Sequence, residues 1–294
     1  MIYSAALTPL TEKSEIDIES LEKMLERNLA HGIKGFFVLG SMGEGILLDT
    51  KQSKKMLGES SRILKGRAEL LAGINAAGLE PALRIMDEFS GLDFDSYVVV
   101  LPSRPFFYDP VKFMEKILEH ADRPVYYYHC PPRNGINFSS SDIEKFLGHP
   151  RLKGIKNSSG SMPLRKELIG LKKKYDFILF EGHEWAIDEA LVIGCDGALS
   201  GMASLASKPM VKICEAAKGG DFQKALDLQL ELIDVFYGVY GRKLETITLG
   251  HKYAMEKLGV FNSHKSLIQN EDALTKERRN EIEVCLETHK EFLD

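Results

Sequence analysis

The chain has 294 residues, 44% of them hydrophobic, enough to bury one large core or two ordinary ones. Its 38 basic and 43 acidic side chains give a formal charge of -5 without any dense basic block, which argues against nucleic acid or an anionic membrane surface as partner. No apolar run approaches the roughly 18 residues of a membrane span, MIYSAALTPL has neither the basic flank nor the apolar run of a signal peptide, and the four separated cysteines (Cys130, Cys195, Cys214, Cys285) form no CxxC pair, so a reduced cytoplasmic protein without structural zinc is expected.

In chain order, the first β-rich run is IYSAALTPL from Ile2. It is followed by GFFVLG from Gly35, AELLAGIN from Ala68 and SYVVVLP from Ser96. PVYYYHC from Pro124, LKGIKNS from Leu152, DFILFEG from Asp176 and CDGALSG from Cys195 complete a set of eight. Short, nearly continuous apolar runs rich in β-branched and aromatic residues suit parallel strands buried on both faces. Between them lie helical patterns. Leu21, Met24, Leu25 and Leu29 share one face, as do Ile143, Phe146 and Leu147. Asp49-Thr50 and Ser139 to Asp142 supply capping residues, and Pro110 suits a first helical turn.

Eight β/α units within residues 1–218 predict a (β/α)₈ barrel, with a doubly wound open sheet as the less favoured alternative. After Gly219-Gly220 the strand signals stop. Phe222, Leu226, Leu230 and Ile233 mark one helical stripe, Ile247 to Leu258 a second helix, and Ile282, Leu286, His289 and Leu293 a last one. Residues 219–294 are therefore expected to form a helical extension packed on the barrel.

In such a barrel, chemistry sits at the C-terminal ends of the strands. Strand 5 ends at Tyr128-His129, strand 6 at Lys156, strand 7 at Gly182-His183-Glu184 and strand 8 at Leu199-Ser200-Gly201. Across the mouth lies the Gly-rich turn GSMGEG, Gly40 to Gly45. A desolvated lysine loses proton affinity and becomes a nucleophile that captures a carbonyl as an iminium. Tyr128 can move protons in that chemistry, and the amides around Ser41, Met42 and Gly43 can hold a carboxylate. GSMGEG lacks the dinucleotide-binding spacing and a Walker lysine, and His183-Glu184 is not continued into HExxH, so no organic cofactor or metal is expected. His129 and Trp185 read as packing residues, and Arg133 as a turn residue close enough to the mouth to grip a carboxylate.

These segments resemble the pyruvate-dependent class I aldolases of the dihydrodipicolinate synthase and N-acetylneuraminate lyase superfamily. GSMGEG is similar to the family's G-[ST]-T-G-E turn, YHCPPRNG to its Y-N-x-P-x-R-x-G segment, and GIKNSSG to its G-[IV]-K-x-[ST]-[ST]-G segment. The resemblance implies that Lys156 forms the Schiff base and that Tyr128 is the acid/base. It implies that Ser41, with the backbone of Met42 and Gly43, binds the pyruvate carboxylate, while Gly182 and Leu199 line the pocket. It further implies a homo-oligomer, dimer or tetramer, working without metal or organic cofactor.

Four positions bear on the substrate. Met42 stands where the family carries threonine, and Phe107 where the synthase branch carries the tyrosine that a neighbouring subunit contributes. Arg133 is typical of the synthase branch, and Glu184 retains one of the two acids with which sialate lyases hold sugar hydroxyls. The expected function is cleavage or formation of a C–C bond between pyruvate and an aldehyde, on a 2-oxo acid or 2-keto-3-deoxy sugar acid. The alternatives are 4-hydroxy-tetrahydrodipicolinate synthase and a non-catalytic binding protein on the same scaffold.

Overall fold

The structure is a computed structural model and describes residues 1–103 and 109–294. Eight strands form a closed barrel: β1 (Ile2–Ala5), β2 (Gly35–Val38), β3 (Glu69–Ile74), β4 (Ser96–Val100), β5 (Val125–His129), β6 (Leu152–Asn157), β7 (Ile178–Glu181) and β8 (Gly197–Ser200). Each pairs in parallel with the next, and β8 returns to β1. The first strand is shorter than its apolar run suggests, because Leu10 makes only an isolated antiparallel bridge to Ile16.

Around the barrel lie α1 (Ile18–Ala30), α2 (Thr50–Leu64), α3 (Leu79–Phe89), α4 (Pro110–His120), the one-turn α5 (Pro131–Asn134), α6 (Ser140–Leu147), α7 (Met162–Leu171), α8 (Ile187–Ile193) and α9 (Ser207–Lys218). The capping signals act as expected. Asp49 and Ser139 close reciprocal capping boxes on α2 and α6, and Pro110 opens α4 behind its N-cap Asp109.

Strand alternation divides the apolar side chains into two sets. One faces the helices; the other fills the barrel with Tyr3, Phe37, Tyr126, Phe180, Leu199 and their neighbours. Tyr3 and Tyr126 pack at a tilt against Phe180, at 4.7 and 5.8 Å between ring centroids. Their bulk explains two strand glycines. A Cβ on Gly35 would lie 2.3 Å from the Tyr3 ring, and one on Gly154 would lie 2.7 Å from the Tyr126 ring. With the interior filled, usable space remains at the C-terminal mouth.

The chain continues through α10 (Phe222–Tyr240), α11 (Leu249–Lys257), α12 (Lys276–Thr288) and α13 (Lys290–Leu293). Of the stripe that marked this helix, Phe222, Leu226 and Leu230 face solvent, 56%, 41% and 54% exposed, and Ile233 is half-buried. The buried side carries Ala225, Gln229, Leu232, Val235, Phe236, Val239 and Tyr240. Gln229 sets this rotation. Its Oε1 accepts from Ile187 N (3.0 Å) and Asp188 N (3.3 Å) at the start of α8, and its Nε2 donates to Glu184 O at 2.7 Å. These bonds satisfy amides that a helix start leaves free. They also roll Phe236 and Tyr240 toward the barrel mouth. Among the described residues, no helix is long and apolar enough to cross a membrane.

Candidate active site

Tyr128 and Lys156 are paired in register on β5 and β6. The Lys156 Nζ lies 4.2 Å from the Tyr128 ring centroid and 5.4 Å from that of Phe37. Only 5% of Lys156 is exposed, and burial lowers its pKa from the usual lysine value to about 8, against the opposing pull of Glu184 and Cys130. The nearby Arg133 charge lowers it further. Burial and then Cys130 push the Tyr128 phenol well above its ordinary range, with Ser158 and Arg133 acting in the other direction. The pair at neutral pH is thus a phenol beside an amine that gives up its proton more readily than a surface lysine.

The Gly-rich turn departs from ordinary backbone geometry. Leu39 and Glu44, neither of them glycine, adopt φ of 60° and 53°, left-handed conformations that cost energy and cluster at functional sites. Gly45 has no alternative residue, since a Cβ there would lie 2.0 Å from Leu39 O. Thr8 Oγ1 donates to Gly43 O at 2.6 Å and pins the turn to the end of β1. Ser41 Oγ is buried without a hydrogen-bond partner, which is unusual for a buried hydroxyl and suits a ligand. The Met42 side chain lies on Gly201, where a Cβ would stand 2.7 Å from Met42 Cγ.

Two carboxylates stand at the end of β7, Glu181 buried and Glu184 half-buried in the cavity lining. Glu181 accepts from Gly182 N (3.0 Å) and His183 N (2.8 Å) and pairs with Arg165 at 2.6 Å. Burial raises its pKa to about 7, with Arg165 opposing. Glu184 Oε1 accepts from Ser200 Oγ (2.9 Å) and Gly201 N (3.1 Å), tying the end of β7 to the end of β8. His129 points away from the mouth. It is fully buried, contacts Tyr127 Oη through Nδ1 at 3.0 Å, stacks on Phe138, and burial lowers its pKa to about 4.

Six of the sequence-derived residues, Ser41, Met42, Tyr128, Lys156, Gly182 and Glu184, border one cavity of about 770 Å³ including its open mouth. Gly43, Arg133 and Leu199 do not border it. Gly43 faces Thr8 and Ala6, Arg133 sits half-buried on α5, and the Leu199 side chain belongs to the barrel filling. Phe107 lies outside the described residues. The sequence reading missed Ser158 and four wall residues from beyond the barrel: Phe236, Tyr240, Leu244 and Ile247. The serine pair in GIKNSSG was a usable signal for Ser158; for the other four, no local spacing points to the mouth.

Gly182 allows a direct test of this geometry. A Cβ at that position would stand 2.0 Å from Ser158 Oγ and 3.1 Å from Lys156 Cε. Gly182→Ala is expected to lose about 1–3 kcal/mol of stability in denaturant titration, the cost of overpacking, and to slow carbonyl capture at Lys156. Wild-type stability together with wild-type capture would contradict the packing described.

A closed parallel barrel with a buried lysine and a neighbouring tyrosine at its catalytic end defines a class of carbonyl-capturing (β/α)₈ proteins. The chain matches the profile of the dihydrodipicolinate synthetase family over residues 1–289 and belongs to that family. It is 25% identical over 263 residues to the 4-hydroxy-tetrahydrodipicolinate synthase of Pseudoalteromonas atlantica, covering 89% of this chain and 88% of that one. It is 28% identical over 276 residues to N-acetylneuraminate lyase 2 of Escherichia coli O6:H1, covering 89% and 85%. The crystal structure of dihydrodipicolinate synthase from Thermotoga maritima superposes with a TM-score of 0.91 at 20% identity, covering 98% of each chain. At that identity the superposition speaks for the fold.

Proposed function

We propose that this protein is a Schiff-base-forming aldolase or lyase that makes or breaks a C–C bond between pyruvate and an aldehyde, acting on a 2-oxo acid. One observation carries the reading: a buried amine with its pKa lowered to about 8 stands beside a buried phenol in a cavity that also holds the unpartnered Ser41 hydroxyl.

In the condensing direction, the neutral Lys156 amine adds to C2 of pyruvate. The carbinolamine oxygen takes a proton and leaves as water, giving the iminium. Loss of a methyl proton converts the iminium to an enamine. Its terminal carbon attacks the aldehyde carbon while the aldehyde oxygen takes up a proton, and water then hydrolyses the new iminium to release a 4-hydroxy-2-oxo acid and the free amine. Cleavage runs the same steps backward. Tyr128 is the proton carrier in this scheme, neutral across the working pH range because burial raises its pKa. Ser41 and the amide of Met42 hold the pyruvate carboxylate, and Arg133 adds positive potential at the mouth. The reading includes a homo-oligomer, dimer or tetramer, supported by the exposed apolar stripe Phe222, Leu226 and Leu230. Light scattering of the purified protein tests that part.

The chemistry is tested without knowing the aldehyde. In deuterated buffer the protein is expected to exchange the methyl protons of pyruvate, followed by proton NMR, because enamine formation and reversal need no second substrate. Lys156→Ala is expected to abolish exchange, and Tyr128→Phe to slow it by about 10²–10⁴-fold. A wild-type protein that leaves the methyl protons in place would remove the proposal and leave a binding role. The second reading, 4-hydroxy-tetrahydrodipicolinate synthase, is favoured by the names of several relatives. Turnover of aspartate semialdehyde with pyruvate, measured against other aldehydes, distinguishes the two.

A further inference from the structure

The cavity has two unlike ends. Around Lys156 it presents Ser41, Tyr128 and Ser158. Toward the C-terminal helices it presents Trp185, Phe236, Tyr240, Leu244 and Ile247. The polar atoms of this second wall are occupied elsewhere. Trp185 Nε1 donates to Tyr237 Oη at 3.2 Å, and Tyr240 Oη is bonded to His251 Nδ1 at 2.9 Å. Trp185 packs on Phe236 and Phe236 on Tyr240, each at 4.6 Å between ring centroids and with the rings tilted or edge-on, so the three form one aromatic cluster.

Two titratable residues of the lining, Glu184 and His183, lie next to this wall. Glu184 spends Oε1 on Ser200 and Gly201. His183 contacts Ser158 O through Nε2 at 3.1 Å, and burial lowers its pKa against the opposing charge of Glu184. Among the described residues bordering the cavity, Lys156 is the one lysine or arginine, and its nitrogen is neutral in the enamine that meets the aldehyde. A carboxylate or a polyhydroxylated chain against this wall would lose its water without gaining partners, which is unfavourable. An alkyl or aryl group would bury apolar surface there.

Resting on the aldolase reading above, we propose that the aldehyde partner carries an apolar group, alkyl or aryl, seated against Trp185, Phe236, Tyr240 and Ile247, in place of a sugar chain or a second carboxylate. The C-terminal extension then acts as the specificity wall of a barrel whose own strands supply the chemistry. Gln229 fixes that wall by holding α10 to the start of α8.

The test compares kcat/KM for pyruvate condensation with hexanal, glyceraldehyde and aspartate semialdehyde in the intact protein. Hexanal is expected to exceed both of the others by at least about tenfold. In Ile247→Asn the hexanal-to-glyceraldehyde ratio is expected to fall by about tenfold. A ratio taken within one preparation is insensitive to a misfolded fraction, which lowers both rates alike. Equal or better use of glyceraldehyde or aspartate semialdehyde, turnover of none of the three, or an unchanged ratio in the variant would each overturn the inference. Pyruvate deuterium exchange separates the two levels: a protein that exchanges pyruvate but prefers polar aldehydes refutes the apolar wall alone, whereas one that does not exchange refutes the aldolase reading.

Discussion

Pyruvate followed by borohydride is expected to leave a reduced adduct on Lys156 and on no other lysine, located by peptide mass spectrometry. Surface lysines keep their proton near neutrality and attack slowly. Lys252, the other fully buried lysine, is held by Glu44 and by Lys265 O at 2.8 Å, away from the cavity. Lys156 combines burial, access from the mouth and a pKa near 8. The adduct should therefore depend on pH in a definite sense. Only the neutral amine attacks, so at pH 7 about one molecule in ten is competent. The capture rate is expected to rise about tenfold per pH unit on the acid side and to level off above about 8. Glu184 provides the control, because its charge raises the Lys156 pKa. In Glu184→Gln the inflection is expected to move to lower pH. An adduct on a different lysine, or an inflection in the ordinary lysine range near 10.5, would show that Lys156 is not the nucleophile described.

The placement of Tyr128 beside Lys156 was readable because parallel strands bring consecutive strand ends side by side. Once LKGIKNS and PVYYYHC are taken as neighbouring buried strands, Tyr128 and Lys156 fall at the same mouth, and the register pairs them directly. The strand runs were legible for a related reason, since burial on both faces leaves almost no polar residue to blur them. The specificity wall was not legible. Periodicity on α10 selects Phe222, Leu226 and Leu230, yet the helix is turned the other way by the buried amide of Gln229. A hydrogen-bonding requirement at the start of α8 thus decides which face of a later helix is covered. Similarly, a charged residue within a Gly-rich turn reads as solvated, whereas Glu44 is 1% exposed because its partner arrives from residue 252.

That partner sets the largest stability effect expected of any single change. Lys252→Met should cost about 3–5 kcal/mol, measured by denaturant unfolding, because it strands the Glu44 carboxylate in a site with no access to water. The Lys252 Nζ lies 3.2 Å from Glu44 Oε1, and neither side chain is exposed. Glu44 also accepts from Ser266 Oγ at 2.8 Å and from Leu267 N at 2.7 Å, so one carboxylate joins the Gly-rich turn to the C-terminal helices. The double variant Glu44→Gln and Lys252→Met should recover much of the loss, since a neutral amide can keep the hydrogen bonds without a counter-ion. A functional readout distinguishes this tie from mere packing. Glu44 sits three residues from Ser41 at a left-handed backbone position, so loosening it should raise the KM for pyruvate in deuterium exchange more than it lowers kcat. A double variant as unstable as the single one would place the cost in lost packing at Lys252. An unchanged KM would show that the turn keeps its shape without the tie.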